Sequence, residues 1–408
     1  MVPFRESALD FVRAQPDAAG RLAALERFDA VGMPTASEEV WRYAPLDAFD
    51  LDRYALATTA PSAPTTSLAD ALSTVAATTI RLGDGFVLDS GRPVPGVDVT
   101  WLPAPAGADL EPYASDAFSL LNAAVTPGVT TITVRSGVEV PGPLVIACGA
   151  GETASFPRVH VVLEPGARAV VIEAHEGGRE SLVDMVGEYD LGAGAALTLV
   201  AYQRLDHTAW HIARTTARLD RDASLSHAVV GLGARYDRSR NDAVMLGSGA
   251  ENVLRTPFFG SGDQVHDFRT RQYHVAPRTR STLLSKGAVA DEARSVYTGL
   301  IEIEHGARRT DARQTNHNLL LSPQAHADSV PNLDIRENDV VCAHASSVGP
   351  LDEIQRWYLE SRGVPRREAQ RLMIRGFFLE MLDALPPAVA ELLTADVDAA
   401  LGALEVAG

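Results

Sequence analysis

A change of hydrophobic period constrains this chain more than any single motif. From about residue 80 apolar residues alternate with a period of two, and the alternation persists for about 220 residues without a convincing helical interruption. Thr131 to Val140 (TITVRSGVEV) sets Ile132 and Val134 on one face and, after Ser136-Gly137, Val138 and Val140 on one face again. Short strands of the same kind are expected at Val159 to Leu163, Ala169 to Glu173, Leu197 to Ala201, Leu225 to Val230 and Gly299 to Glu304. A glycine or a Gly-Ala pair punctuates nearly every one, as at Gly166-Ala167, Gly194-Ala195, Gly249-Ala250 and Gly306-Ala307. Strands never separated by helices disfavour βαβ folds and leave a large sandwich, a propeller or a parallel β-helix. The repeat is irregular in length, which favours the β-helix.

Period 3.6 holds at both ends. Ala8, Phe11 and Val12 fall at helical spacing, as do Leu22, Leu25 and Phe28, before Gly32 and Pro34 stop the pattern; a short aromatic segment with Trp41 and Tyr43 follows. Residues 57–67 contain only Ala, Thr, Pro and Ser and read as a linker. After residue 350, Leu351, Ile354 and Tyr358 share a helical face that Gly363 ends. Pro365 then opens a second helix with Leu372, Met373, Phe377, Met381 and Leu382, and a last piece runs from about Val389 to Leu404. The expected organisation is an N-terminal helical region and linker (1–66), a β-helix core (67–345) and a C-terminal helical domain (346–408). The acid-rich, base-free stretch after residue 375 fits a solvated helical face.

Composition excludes several functions. The net charge of −17 opposes general binding to nucleic acid or anionic lipid. The chain has a single lysine, Lys286, set in Ser285-Lys286-Gly287, so it lacks the Gly-Lys-Ser/Thr of a P-loop ATPase. Two cysteines, Cys148 and Cys342, cannot form a disulfide framework or a four-thiolate site from one chain, and they fit a reducing cytoplasm. The N-terminus lacks the apolar run of a signal peptide, and no apolar stretch reaches membrane-spanning length. The glycine-rich pieces fail the dinucleotide pattern, and no Gly-x-Ser-x-Gly elbow occurs. His207 and His211 have HxxxH spacing, but on a strand they lie roughly 13 Å apart, too far for one metal. Acids for glycoside chemistry are available at Asp263, Asp267, Asp311 and Asp328, with no spacing that singles out a pair.

The densest segment is Gln314 to Gly349 (QTNHNLLLSPQAHADSVPNLDIRENDVVCAHASSVG). Cys342 and His344 are two apart and on a strand face the same way. A thiolate beside an imidazole suits iron, zinc or copper, with further ligands drawn from another chain, sulfide or water. The same pair also fits a cysteine buried as a small hydrophobe beside a hydrogen-bonded histidine.

Several stretches together resemble a known family. They are Arg21-x-x-Ala24-Leu25-x-x-Phe28, Gly32-x-Pro34 and Glu39-x-Trp41-Arg42-Tyr43; Pro157-Arg158 and Leu163-Glu164-x-Gly166-Ala167; Ser285-Lys286-Gly287; Asp311-Ala312-Arg313-Gln314-x-Asn316-x-Asn318-Leu319-Leu320-Leu321-Ser322; Pro331-x-Leu333-x-Ile335; Asp339-Val340-x-Cys342-x-His344; and Tyr358-Leu359-x-Ser361-Arg362-Gly363. In order along the chain they are similar to the SufB/SufD family of SUF iron–sulfur cluster assembly scaffolds. The short N-terminal region and scarce cysteines point to its SufD branch. The resemblance implies a right-handed parallel β-helix between helical regions, pairing with a SufB-like subunit through the end of the β-helix, and docking of a SufC-like ATPase on the C-terminal helices, with Leu351, Ile354, Trp357, Tyr358, Phe377 and Met381 as docking candidates. It implies that His344 lies at the subunit interface and contributes, with Cys342 beside it, to a transient iron–sulfur cluster shared with the SufB-like subunit, His344 being the candidate metal ligand. Ala345-Ser346-Ser347 stand where the family has Gly-Ala-Thr. The resulting expectation is a cytoplasmic, non-catalytic scaffold subunit. The competing expectations are a β-helix carbohydrate-active enzyme and a self-associating β-helix, homodimeric when isolated and without a metal role.

Overall fold

The computed structural model describes residues 3–61, 67–102 and 116–407. Residues 62–66 of the expected linker lie outside the described residues. The central part is a parallel β-solenoid of about eight turns, mainly β and flanked by helices at both ends of the chain, as the periods predict. Each full turn contributes one strand to each of two ten-stranded sheets. Sheet I includes Leu144–Ala150, Arg168–Gly177, Ala196–Leu205, Ser224–Gly231, Glu251–Gly260, Arg280–Val289, Asp311–Leu320 and Val341–Pro350. Sheet II includes Leu182–Leu191, Trp210–Leu219, Tyr236–Met245, Val265–His274, Arg294–Ile303 and His326–Ile335.

Register runs straight up the stack. Leu197 pairs with Leu225, Leu225 with Asn252, Asn252 with Ser281, Ser281 with Ala312 and Ala312 with Cys342, so successive turns are 27 to 31 residues long. The Gly-Ala pairs are explained at one corner of this stack. Gly166, Gly194 and Gly249 adopt left-handed backbone angles there, which glycine does without a Cβ clash, and the alanine that follows each is fully buried in the corner. Alternate residues then fill the lumen. In the early turns they are apolar, as with Leu144, Ile146, Val171, Leu197 and Leu199. In the later turns many are polar and buried, among them Ser281, Ser285, Gln314, Asn316 and Asn318.

Helices cover the outer faces. α1 (Phe4–Arg13) and α2 (Ala18–Val31) pack with Trp41 and Phe49 over Leu182, Trp210, Ile212 and Tyr236 of sheet II. α3 (Ser67–Ser73) packs against sheet I. α4 (Ala117–Val125) joins the first two, and it corrects the expectation that no helix interrupts the strand region. Asp116 starts α4 by accepting a hydrogen bond from the Ser119 N–H, as a good N-cap does. Arg21, fully buried, donates to the carbonyls of Ala124 and Thr126 at the other end of α4, at 2.9 and 2.6 Å, which accounts for an arginine in an otherwise apolar motif. Trp41 lies under the Arg238 guanidinium, 3.7 Å from it, while Arg238 donates to Asp267 at 2.6 Å.

At the C-terminal end, α5 (Glu353–Ser361) buries no residue. α6 (Arg366–Leu382) and α7 (Pro387–Ala407) lie across sheet I, with Ile374, Phe378, Met381, Val389, Leu393 and Val397 packed on Val145, Ile172, Val200, Tyr202 and Val230. Lys286 pins α6 to the sheet. Its Nζ donates to the Phe377 carbonyl at 3.0 Å and to Glu380 Oε2 at 2.8 Å. Among the described residues, no helix is long and apolar enough to cross a membrane.

Gly287, next to Lys286, faces the lumen, where an added Cβ would overlap the Phe258 ring. That ring is held by Phe268 and His266, at centroid distances of 4.9 and 5.6 Å, so it cannot simply move aside. Gly287→Ala is expected to destabilise the solenoid by about 1–3 kcal/mol through overpacking. Urea unfolding should show a lower midpoint at unchanged slope; an unaltered midpoint would refute the packing argument.

Candidate functional site

The two ends of the solenoid differ. At its N-terminal end the antiparallel strands Phe86–Asp89 and Val97–Leu102 close sheets I and II. At the other end Val341–Pro350 and His326–Ile335 are the last strands, each paired on one side only among the described residues. Leu333 and Ile335, each 41 % exposed, sit in register above Ile301 and Ile303, which are fully buried one turn below. The same inward face is therefore core in one turn and open surface in the next. Covering the exposed 41 % of each side chain would be worth about 0.6–1.2 kcal/mol.

Cys342 and His344 belong to that face. Cys342 pairs with Ala312 and His344 with Gln314, both buried and inward-facing, so the two share one side of the strand as their spacing predicts. Cys342 is half-buried against Ile301, Ile303, Ala307 and Ala312, whereas His344 is exposed. Burial, and secondarily the charge of Asp311, push the Cys342 thiol above its usual range. It therefore stands protonated at neutral pH until a cation displaces the proton.

Two donors of this kind do not close a metal site. Among the described residues no group of three or more His, Cys, Asp or Glu side chains converges on a metal position. A soft and a borderline donor at an open face fit a group completed from outside the chain, and they do not fit a resident four-coordinate metal. Directly below, the lumen floor is polar and uncharged: Gln314, Asn316 and Asn318 are buried, and Gln314 keeps an amide nitrogen without a partner.

The other sequence candidates separate clearly. On α5, Ile354, Trp357 and Tyr358 are 78, 67 and 54 % exposed. Leu351 is half-buried against the C-terminal helices. Met381, named with them through the resemblance, is fully buried between α6 and the sheet, and Phe377 packs under the Lys286 ammonium. Met381 holds α6 down and is not surface, while Phe377 is half-buried. His207 lies in an exposed turn, while His211 is buried on its strand, so the HxxxH pair does not meet. Asp263, Asp267, Asp311 and Asp328 are each taken up in an ion pair, with Arg235, Arg238, Arg313 and His326.

One cluster escaped the sequence reading. Inside the lumen His211 Nδ1 lies 2.8 Å from one oxygen of Asp237, and His266 Nδ1 lies 3.2 Å from the other. Burial alone would raise the Asp237 carboxyl, but the hydrogen bonds from both imidazoles hold it well below the usual range. The only sequence signal is spacing by one turn, 26 and 29 residues. Cys148 also faces this lumen, beside His175, and is buried; burial and then Glu173 push its thiol well up.

The cysteines should therefore differ in reactivity. Brief alkylation of the native chain followed by peptide mass spectrometry is expected to label Cys342 and to spare Cys148 until the chain unfolds. Equal labelling would contradict the inward placement of Cys148.

Comparison with known proteins identifies the family. Residues 146–377 match the family described as SUF system FeS cluster assembly, SufBD core domain. An iron–sulfur cluster assembly SufBD family protein of Mycobacterium tuberculosis is 32 % identical over 391 residues, covering 93 % of this chain and 92 % of the relative. The iron–sulfur cluster assembly protein SufD of Bacillus subtilis is 31 % identical over 65 % of this chain and 62 % of its own length. SufD of Escherichia coli is 28 % identical over 88 % of this chain and 87 % of its own. With a match across more than half its length, and a relative similar over nearly all of it, the chain belongs to the SufBD family of the SUF system for iron–sulfur cluster assembly.

Proposed function

We propose that the chain is a non-catalytic scaffold subunit that pairs through the open end of its solenoid with a SufB-like subunit and carries a SufC-like ATPase on its C-terminal helices. One observation carries this reading: the inward face of the last turn, with Cys342, His344, Leu333 and Ile335, has no turn above it among the described residues. A second solenoid end laid against it would bury those apolar side chains and extend the ladder. The nascent cluster is the cargo built there. His344 supplies an imidazole, Cys342 a sulfur beside it, and the partner and sulfide the remaining ligands.

The division of labour follows from what the chain lacks. Lys286, its single lysine, is occupied by Phe377 and Glu380, so nucleotide hydrolysis belongs to the partner. The exposed apolar face of α5, with Ile354, Trp357 and Tyr358, is the docking surface for that ATPase, and Leu351 lies at its root. Residues 67–345 form the scaffold core between an N-terminal brace (1–66) and the docking domain (346–408). The assembly works in the cytoplasm. When isolated, the chain offers the same open end to a second copy, which supports a homodimer as the resting form.

Anaerobic co-expression with SufB-like and SufC-like proteins should give a three-protein complex on affinity capture; failure of both to co-purify would sink the assignment. In that complex His344→Ala should leave composition unchanged and lower iron and sulfide content several-fold, and an unchanged content removes His344 from the site. Separately, the pair Ile354→Glu and Trp357→Ala should lose the ATPase and retain the SufB-like subunit; retention of the ATPase would move its docking surface elsewhere.

A further inference from the structure

The buried polar run Gln314, Asn316 and Asn318 lies one turn below Cys342 and His344 and is not used by the reading above. These are three successive inward positions, between 1 and 3 % exposed. The two asparagines are engaged inside the lumen. Ser295 Oγ donates to Asn318 Oδ1 at 3.1 Å, Asn318 Nδ2 donates to Asn316 Oδ1 at 3.2 Å, and Asn316 Nδ2 donates to Ser329 Oγ at 3.0 Å. Gln314 is engaged at one end only. Its Oε1 accepts from the Tyr297 hydroxyl at 3.2 Å, and that hydroxyl lies 3.3 Å from Thr270 Oγ1.

This relay fixes the amide. Tyr297 is buried and its hydroxyl is pushed above the usual phenol range by burial, so it keeps its proton, and it donates to the Gln314 carbonyl oxygen with the Thr270 hydroxyl on its other side. Gly299 keeps the space free, because a Cβ there would overlap both Gln314 Oε1 and the Tyr297 hydroxyl. The opposite end of the amide, Nε2, is buried and takes no partner. Toward the open end, the ladder neighbour of Gln314 on the same face is His344. A buried N–H without an acceptor is costly, and such a group calls for a partner in a water, a ligand or a function.

The missing acceptor is recognisable from its surroundings. Neither of the last two strands of sheet I carries Arg or Lys on its inward face, where Ala312, Gln314, Asn316 and Asn318 lie under Cys342, His344, Ser346 and Val348. A neutral N–H donor then supplies the stabilisation for negative charge arriving at the mouth. We infer that Gln314 is a positioning residue of this site, its carboxamide N–H held by the Thr270–Tyr297 relay to donate a hydrogen bond to anionic sulfur bound beside His344. The inference rests on the proposed function. Hydrogen bonds to cluster sulfurs stabilise the more electron-rich state and raise its reduction potential.

The test uses the full chain in anaerobically reconstituted complex with its SufB-like and SufC-like partners, reading the reduction potential and the Fe–S stretching bands by resonance Raman. Gln314→Met is expected to retain the cluster, to lower its potential and to shift the bands. Tyr297→Phe, which leaves the amide free to turn, moves both readouts in the same direction by less. Unchanged potential and bands in Gln314→Met, with only a loss of thermal stability, overturn the inference; the amide is then spent on Gln272, whose Oε1 is also buried without a partner. Should that variant fail to fold, Gln314→Glu decides, because it keeps the shape and replaces the donor with an acceptor, and an unchanged potential there is equally fatal. A cluster whose spectrum is indifferent to His344→Ala refutes the reading of the site itself, a different result from indifference to Gln314 alone.

Discussion

Everything in this molecule depends on how a parallel strand satisfies its backbone. Each turn of the solenoid makes its inter-strand hydrogen bonds to the turn above and the turn below, so no turn is complete alone. Such a stack must be stopped at each end. At the N-terminal end a hairpin in sheet I and an antiparallel strand in sheet II reverse the chain direction, so the parallel ladder has no further register to extend. At the other end the ladder stops with its outer edge and inward side chains uncovered. The position of the candidate site follows from that asymmetry.

The solenoid was legible because its corners use a residue with a distinct backbone preference. Gly166, Gly194 and Gly249 mark the corner openly, and the buried alanines after them complete the signature. The same corner conformation is adopted by Asp222, Arg278 and Arg309, so the punctuation fades where no glycine announces it. Strand alternation fades for a different reason. In the later turns many inward positions are Ser, Thr, Asn or Gln, and hydropathy does not separate these from residues facing solvent. Helix α4 was missed because eight of its nine residues are buried, and a helix enclosed on all sides shows no apolar stripe.

The site was legible in its chemistry and illegible in its exposure. A spacing of two residues placed Cys342 and His344 on one face of a strand, and the ladder agrees. Nothing local in the sequence distinguishes Leu333 and Ile335, which are open, from Ile301 and Ile303, which are core, because both pairs alternate in the same way and only the count of turns separates them. The same limit applies to the helices. Ile354 and Met381 both sit on apolar stripes, yet α5 overhangs and α6 lies on sheet I. The partner that decides between them is Lys286, whose sequence context excludes a P-loop and whose ammonium is spent on a carbonyl and a carboxylate of α6.

The electrostatics of the open end set the conditions under which it can bind anything. Burial and Asp311 keep the Cys342 thiol protonated, and the lumen beneath offers neutral amides with no cation. On the proposed function, iron arriving alone would have to displace that proton with only His344 to assist, and two donors bind weakly. Coverage of the face by another protein changes each term: further ligands arrive, water leaves, and the attraction between metal and thiolate strengthens as the local dielectric falls. Affinity for the cargo would thereby be tied to assembly. In that reading separation would return the thiol to its protonated state and expose the metal to water, so that the incompleteness of the site in one chain would serve as a route to release.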